Sequence, residues 1–89
     1  MIDYRQYPLD EYDIEFLEDI RSALGEDSQN EVFLKCGVFP ILLEPHGKEV
    51  CVKSKGETLA FFNSVDDMFL NFKIDEKPFI ERVGEIEYA

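Results

Sequence analysis

The sequence predicts one α+β domain, with an N-terminal amphipathic helix and a second short helix packed on an antiparallel meander of three or four strands. Three observations predict it. Near the N-terminus, apolar residues recur at the helical period between clear start and stop signals. From residue 31 to 62 the pattern changes to alternation, and the alternating stretches are joined by short turn-forming connectors, which implies antiparallel neighbours. A second capped helical segment follows. Strands grouped between helices, rather than alternating with them, define the class.

The first helix spans residues 10–24. Pro8 precedes it, Asp10 is placed to cap it with Asp13 closing a capping box, and Gly25 stands where a left-handed C-terminal cap is wanted. At about 100° per residue, Tyr12, Phe16, Leu17, Ile20, Ala23 and Leu24 fall in one arc, whereas Ile14 falls nearer the acidic side. Residues 26–30 form a polar connector. Strands are predicted at 31–36, 38–44, 48–54 and 57–62. The first two read equally as one long strand bent near Gly37 and Pro40, since Pro40 is barred from a central ladder position. Residues 45–48 read as a turn, and Lys55-Gly56 as a two-residue hairpin loop. Ser64 and Asp67 open a second helix over 64–73, with Val65, Met68, Phe69 and Phe72 as its apolar stripe. Residues 78–89 suit both a helical turn, at Phe79, Ile80 and Val83, and a short strand at 85–88.

The chain of 89 residues has room for one core, and no Gly/Ser/Pro linker divides it. Its 45% hydrophobic content, aromatics included, is that of a folded globule rather than an acidic tail. Phe33, Phe39, Phe61, Phe62, Phe69 and Phe72 are expected in the core. Adjacent Phe61 and Phe62 cannot both face inward from a one-sided sheet, and the same holds along 38–43. Either both sheet faces are covered, or an apolar strip is exposed to a partner or a second copy.

A net charge of -11 argues against direct binding to nucleic acid or to an anionic membrane surface. The N-terminal residues lack a secretory signal, and no apolar run approaches a membrane span, so a cytoplasmic protein is expected. Cys36 and Cys51 would then remain thiols. With His46 they offer a conceivable Cys–His dyad or a partial metal set, but no nucleophile signature is present and the Cys-x2–4-Cys knuckle of structural zinc is missing. The acidic clusters do not continue as a calcium loop, and the isolated glycines form no phosphate loop. The expectation is therefore no enzyme, no cofactor and no metal.

The charge is unevenly placed. Residues 1–31 hold ten acids and two bases, 32–55 two acids and four bases, and 56–89 eight acids and three bases. Within the first helix Glu11, Glu15, Glu18 and Asp19 crowd one side at i,i+3 and i,i+4 spacings, each like-charge pair costing a few tenths of a kcal/mol. A face built for solubility alone mixes signs. This face is expected to bind a basic protein surface, with Asp66 and Asp67 as a second patch if the helices lie side by side. In size and charge, though by no motif, the chain resembles anti-CRISPR proteins and the immunity proteins of nuclease toxins. That likeness implies an inhibitor or regulator whose carboxylates stand where phosphates would lie. The alternative is a self-associating domain using 38–43 or the outer face near Phe61.

Overall fold

The computed structural model describes residues 2–89. After a 3-10 turn at Tyr4–Gln6 come α1 (Glu11–Leu24), β1 (Val32–Cys36), β2 (Phe39–His46), β3 (Glu49–Ser54) and β4 (Glu57–Phe62). Then follow α2 (Val65–Asn71), a ribbon of β5 (Lys73–Ile74) and β6 (Lys77–Pro78), α3 (Phe79–Arg82), a 3-10 turn at Val83–Glu85 and β7 (Ile86–Tyr88). The fold is α+β, as its sequence predicts. The antiparallel sheet has five strands rather than three or four, in the order β4-β3-β2-β1-β7. The fifth is the C-terminal segment, which is both a helical turn and a strand: β7 lies along β1 with Leu34 opposite Tyr88 and Cys36 opposite Ile86.

Capping starts α1 as expected. The Asp10 carboxylate accepts from the Asp13 amide at 2.9 Å, and the Asp13 carboxylate accepts from the Asp10 amide at 3.3 Å. Leu17, Ile20 and Leu24 are buried. Tyr12, expected among them, is 82% exposed, whereas Ile14, expected nearer the acidic side, is half-buried along with Phe16. The other end is closed differently from the expectation. Gly25 has φ -59, so it is not a left-handed cap, and the left-handed residue is Gln29 at φ 49. The Gln29 amide group donates to the carbonyls of Leu24, Gly25 and Gly47, and its oxygen accepts from the Gly47 amide at 2.9 Å. One side chain thus satisfies open helix carbonyls and ties α1 to the β2–β3 turn.

Gly37 (φ 62) and Gly47 (φ 66) open the two-residue turns after β1 and β2, where the hairpin twist demands a positive φ at the first turn position. The second turn therefore lies at Gly47-Lys48, and Pro45 and His46 belong to β2 rather than to a loop. β2 is the middle strand of the sheet and still holds two prolines. Pairing of Cys36 with Phe39 makes odd positions of β2 address β1 and even positions address β3. Pro45 consequently faces β1 past the last pair, Val32 with Leu43, and Pro40 faces β3 past the last pair, Leu42 with Lys53. Neither missing N–H removes a ladder bond. The Pro40 carbonyl accepts from the buried Ser54 hydroxyl at 2.6 Å.

One face of the sheet carries the core. Val32, Leu34, Ile41, Leu43, Val50 and Val52 point toward the helices and meet Leu17, Ile20, Met68, Phe69, Phe79 and Ile80. Phe69 and Phe79 stack with centroids 5.6 Å apart, and Phe16 meets Tyr88 edge-on at 4.9 Å. The opposite face is uncovered. Phe33 and Phe61, expected in the core, lie there at 57% and 67% exposure, because their neighbours in the alternation take the inward positions. No helix among the described residues is long and apolar enough to cross a membrane.

Candidate functional site

Three regions hold chemistry: the acidic side of α1, the uncovered sheet face, and a cleft at the top of the sheet. On α1, Glu11, Glu15 and Asp19 are exposed, and among the described residues none has a hydrogen-bond or ion-pair partner. The rise of the helix spaces them about 6 Å apart along its axis. Glu18 differs, since its carboxylate accepts from the Tyr4 hydroxyl at 2.7 Å and lies 3.6 Å from Arg21 Nε.

Arg21 organises this side of the molecule. Its guanidinium pairs with Asp66 at the start of α2, donates to the Tyr4 hydroxyl at 2.7 Å, and lies 5.5 Å from the centroid of the Phe69 ring. Burial pulls the Arg21 pKa down, but the bonds to Tyr4 and Asp66 outweigh it and leave the pKa raised. Burial also raises the Tyr4 pKa. α1 and α2 therefore meet through an ion-paired clasp. Asp67 is engaged as well, accepting from the Asn63 amide at 3.0 Å and the Asn71 side chain at 2.6 Å while its own amide donates to Ser64. Of the six carboxylates that the sequence marks, the structure leaves Glu11, Glu15 and Asp19 unengaged on one stripe.

On the uncovered face, Phe33, Leu42, Lys53 and Thr58 form one rung across the sheet, and Glu44, Cys51 and Phe61 form the next. Glu44 binds Lys53 Nζ at 3.1 Å and His46 Nε2 at 2.8 Å. The Lys53 bond, then the His46 bond, holds the Glu44 carboxyl below the usual range, and the same carboxylate raises the Lys53 pKa. The Phe61-Phe62 adjacency anticipates an outward aromatic near Phe61, but the sequence pattern assigns Phe33 to the core and does not bring it to the same face.

The cleft holds about 460 Å³ and is lined by Phe39, Leu59, Phe72, Ile74, Lys73 and Arg82 among others. Arg82 donates to the Ile74 carbonyl at 2.8 Å, pairs with Glu85, and has Nη2 3.6 Å from Cys36 Sγ. Cys36 faces the core side of β1, whereas Cys51 occupies the other face of the sheet on β3. His46 lies beside Glu44 at the far end of β2. The sheet thus separates Cys36 from Cys51 and His46, which share the uncovered face about one rung apart. Among the described residues no group of three or more His, Cys, Asp or Glu side chains is placed to hold a metal ion.

In comparison with known proteins, no family model matches the chain, and no curated protein and no solved structure is significantly similar to it.

Proposed function

We propose that this protein is a small non-enzymatic binding module that docks the acidic side of α1 onto a basic protein surface in the cytoplasm, as an inhibitor or regulator of a nucleic-acid-handling partner. The supporting observation is the stripe of Glu11, Glu15 and Asp19, exposed on a rigid helix and unengaged while Glu18, Asp66 and Asp67 all have partners. A row of unneutralised carboxylates costs helix stability and offers a groove built for phosphates a matching row of negative charge. Attraction of this kind speeds association and weakens with salt.

The test is capture from native cells by the wild type, by a variant with Glu11, Glu15 and Asp19 changed to Lys, and by a control with Glu26, Asp27 and Glu81 changed to Lys. The control alters net charge equally but leaves the α1 stripe intact. Wild type and control should retain a partner at low salt and release it at high salt, and the stripe variant should fold normally and retain none. Equal capture by all three refutes the reading.

A second reading, self-association, is favoured by one observation: Phe33 and Phe61 stand exposed on a sheet face that no helix among the described residues covers.

A further inference from the structure

We infer that the uncovered sheet face pairs with the same face of a second copy, about a two-fold axis running along the strands between β2 and β3. Phe33 of each copy then packs on Phe61 of the other, and Lys53 of each pairs with Glu44 of the other. The inference rests on the self-association reading and supplies its geometry.

Charge restricts where two copies can meet. Each copy carries -11, so two copies must meet where the charge is least. The outward strand positions of this face hold Lys35 and Lys53 against Glu44, Glu49 and Glu87, with apolar Phe33, Pro40, Leu42 and Phe61 between them. The acidic excess lies on the helical side instead.

A two-fold interface sets one patch against itself, so any contact of residue i with residue j occurs twice. Rotation about an axis along the strands, between β2 and β3, lays β4 of one copy over β1 of the other and β3 over β2. Phe61 on β4 then lies over β1 within one rung of Phe33, and Lys53 on β3 lies over β2 within one rung of Glu44. One rung is about 7 Å along a strand, a span that aromatic rings and a lysine side chain cover between sheets about 10 Å apart. A single operation therefore matches both the apolar and the charged pairs.

The four strands that overlap, β1 to β4, are together about 19 Å wide and on average about 21 Å long, or roughly 400 Å² per copy. That is the lower end of specific interfaces, so the dimer is concentration-dependent. Phe33→Ser or Phe61→Ser should weaken it about thirty-fold or more, as loss of a central aromatic anchor does.

The decisive experiment is sedimentation equilibrium of the full chain over a wide concentration range, with circular dichroism confirming that each variant is folded. Wild type should dimerise. Lys53→Glu alone sets Glu against Glu44 of its copy, and Glu44→Lys alone sets Lys against Lys53, so each should be monomeric. Mixed together, the two should form a heterodimer, because both cross-pairs become opposite in sign. If wild type dimerises and the mixture does not, the pairing geometry is wrong while self-association stands. Monomeric wild type throughout the range overturns both.

Discussion

The two sides of this sheet solve different problems with the same strands. On the helical side, Val32, Leu34, Ile41, Leu43, Val50 and Val52 are sealed beneath α1, α2 and α3, and the charges sit on the outer surfaces of those helices. On the uncovered side, aromatic rings stand in water beside a Glu44–Lys53–His46 network. Burial, rather than residue type, separates them. A phenylalanine contributes to stability where it displaces water on folding, and it remains available for contact with another molecule where it does not.

The largest test of this contrast compares two phenylalanines. Phe69→Ala, which removes a fully buried ring stacked on Phe79, should cost about 3–5 kcal/mol in urea unfolding. Phe61→Ala should change the stability of the monomer by no more than about 0.5 kcal/mol. Similar losses at both sites would mean that the outer face is packed within the monomer.

A smaller effect separates stability from binding on α1. Glu15 stands i,i+4 from both Glu11 and Asp19 and i,i+3 from Glu18, so Glu15→Lys turns three repulsions into attractions. Denaturant curves should show a gain of about 0.5–1 kcal/mol, accompanied by weaker partner capture. A loss of stability would place Glu15 in a structural role.

The smallest effect appears only as a function of pH. The folded pKa of Glu44 is lowered by Lys53 and then His46, so its stabilising contribution is fully present above the ordinary glutamate pKa of 4.5. It is lost as pH falls through the lowered folded value. Wild type should therefore exceed Glu44→Gln in urea midpoint at neutral pH, and the two should converge under acid. A constant difference at all pH values would assign the effect to packing.

What the sequence reveals and what it hides follow from the range of each interaction. The Asp10 capping box, the start of α2 at Ser64 and the Lys55-Gly56 hairpin depend on residues a few positions apart, so local pattern suffices. Alternation shows that Phe33 and Leu34 point opposite ways, but which side the helices cover is decided by tertiary packing. Gly25 carries the usual end signal, yet Gln29 does the capping through a bond to Gly47 that no local rule supplies. Pro40 and Pro45 look like strand breakers because their harm depends on which neighbour their missing N–H would face. For the candidate site, the α1 stripe was visible as spacing and so was the i,i+3 relation of Glu18 to Arg21, whereas the engagement of Asp66 by Arg21 required the tertiary meeting of two helices.

The pairing of β7 with β1 has a consequence for solubility. At one border of the sheet, the chain departs from regular pairing between Val52 and Lys53, and that irregularity disrupts the row of backbone groups that β4 presents. The other border has only the three residues of β7, extended by the Ala89 amide bonded to the Phe33 carbonyl. Beneath them lies Val32–Cys36, an alternating apolar strand of the kind onto which another chain can add. Short edge strands with few contacts detach readily in local unfolding. β7 is thus a guard as well as a fifth strand, and the free energy of its detachment sets how often the chain displays an edge fit for aggregation.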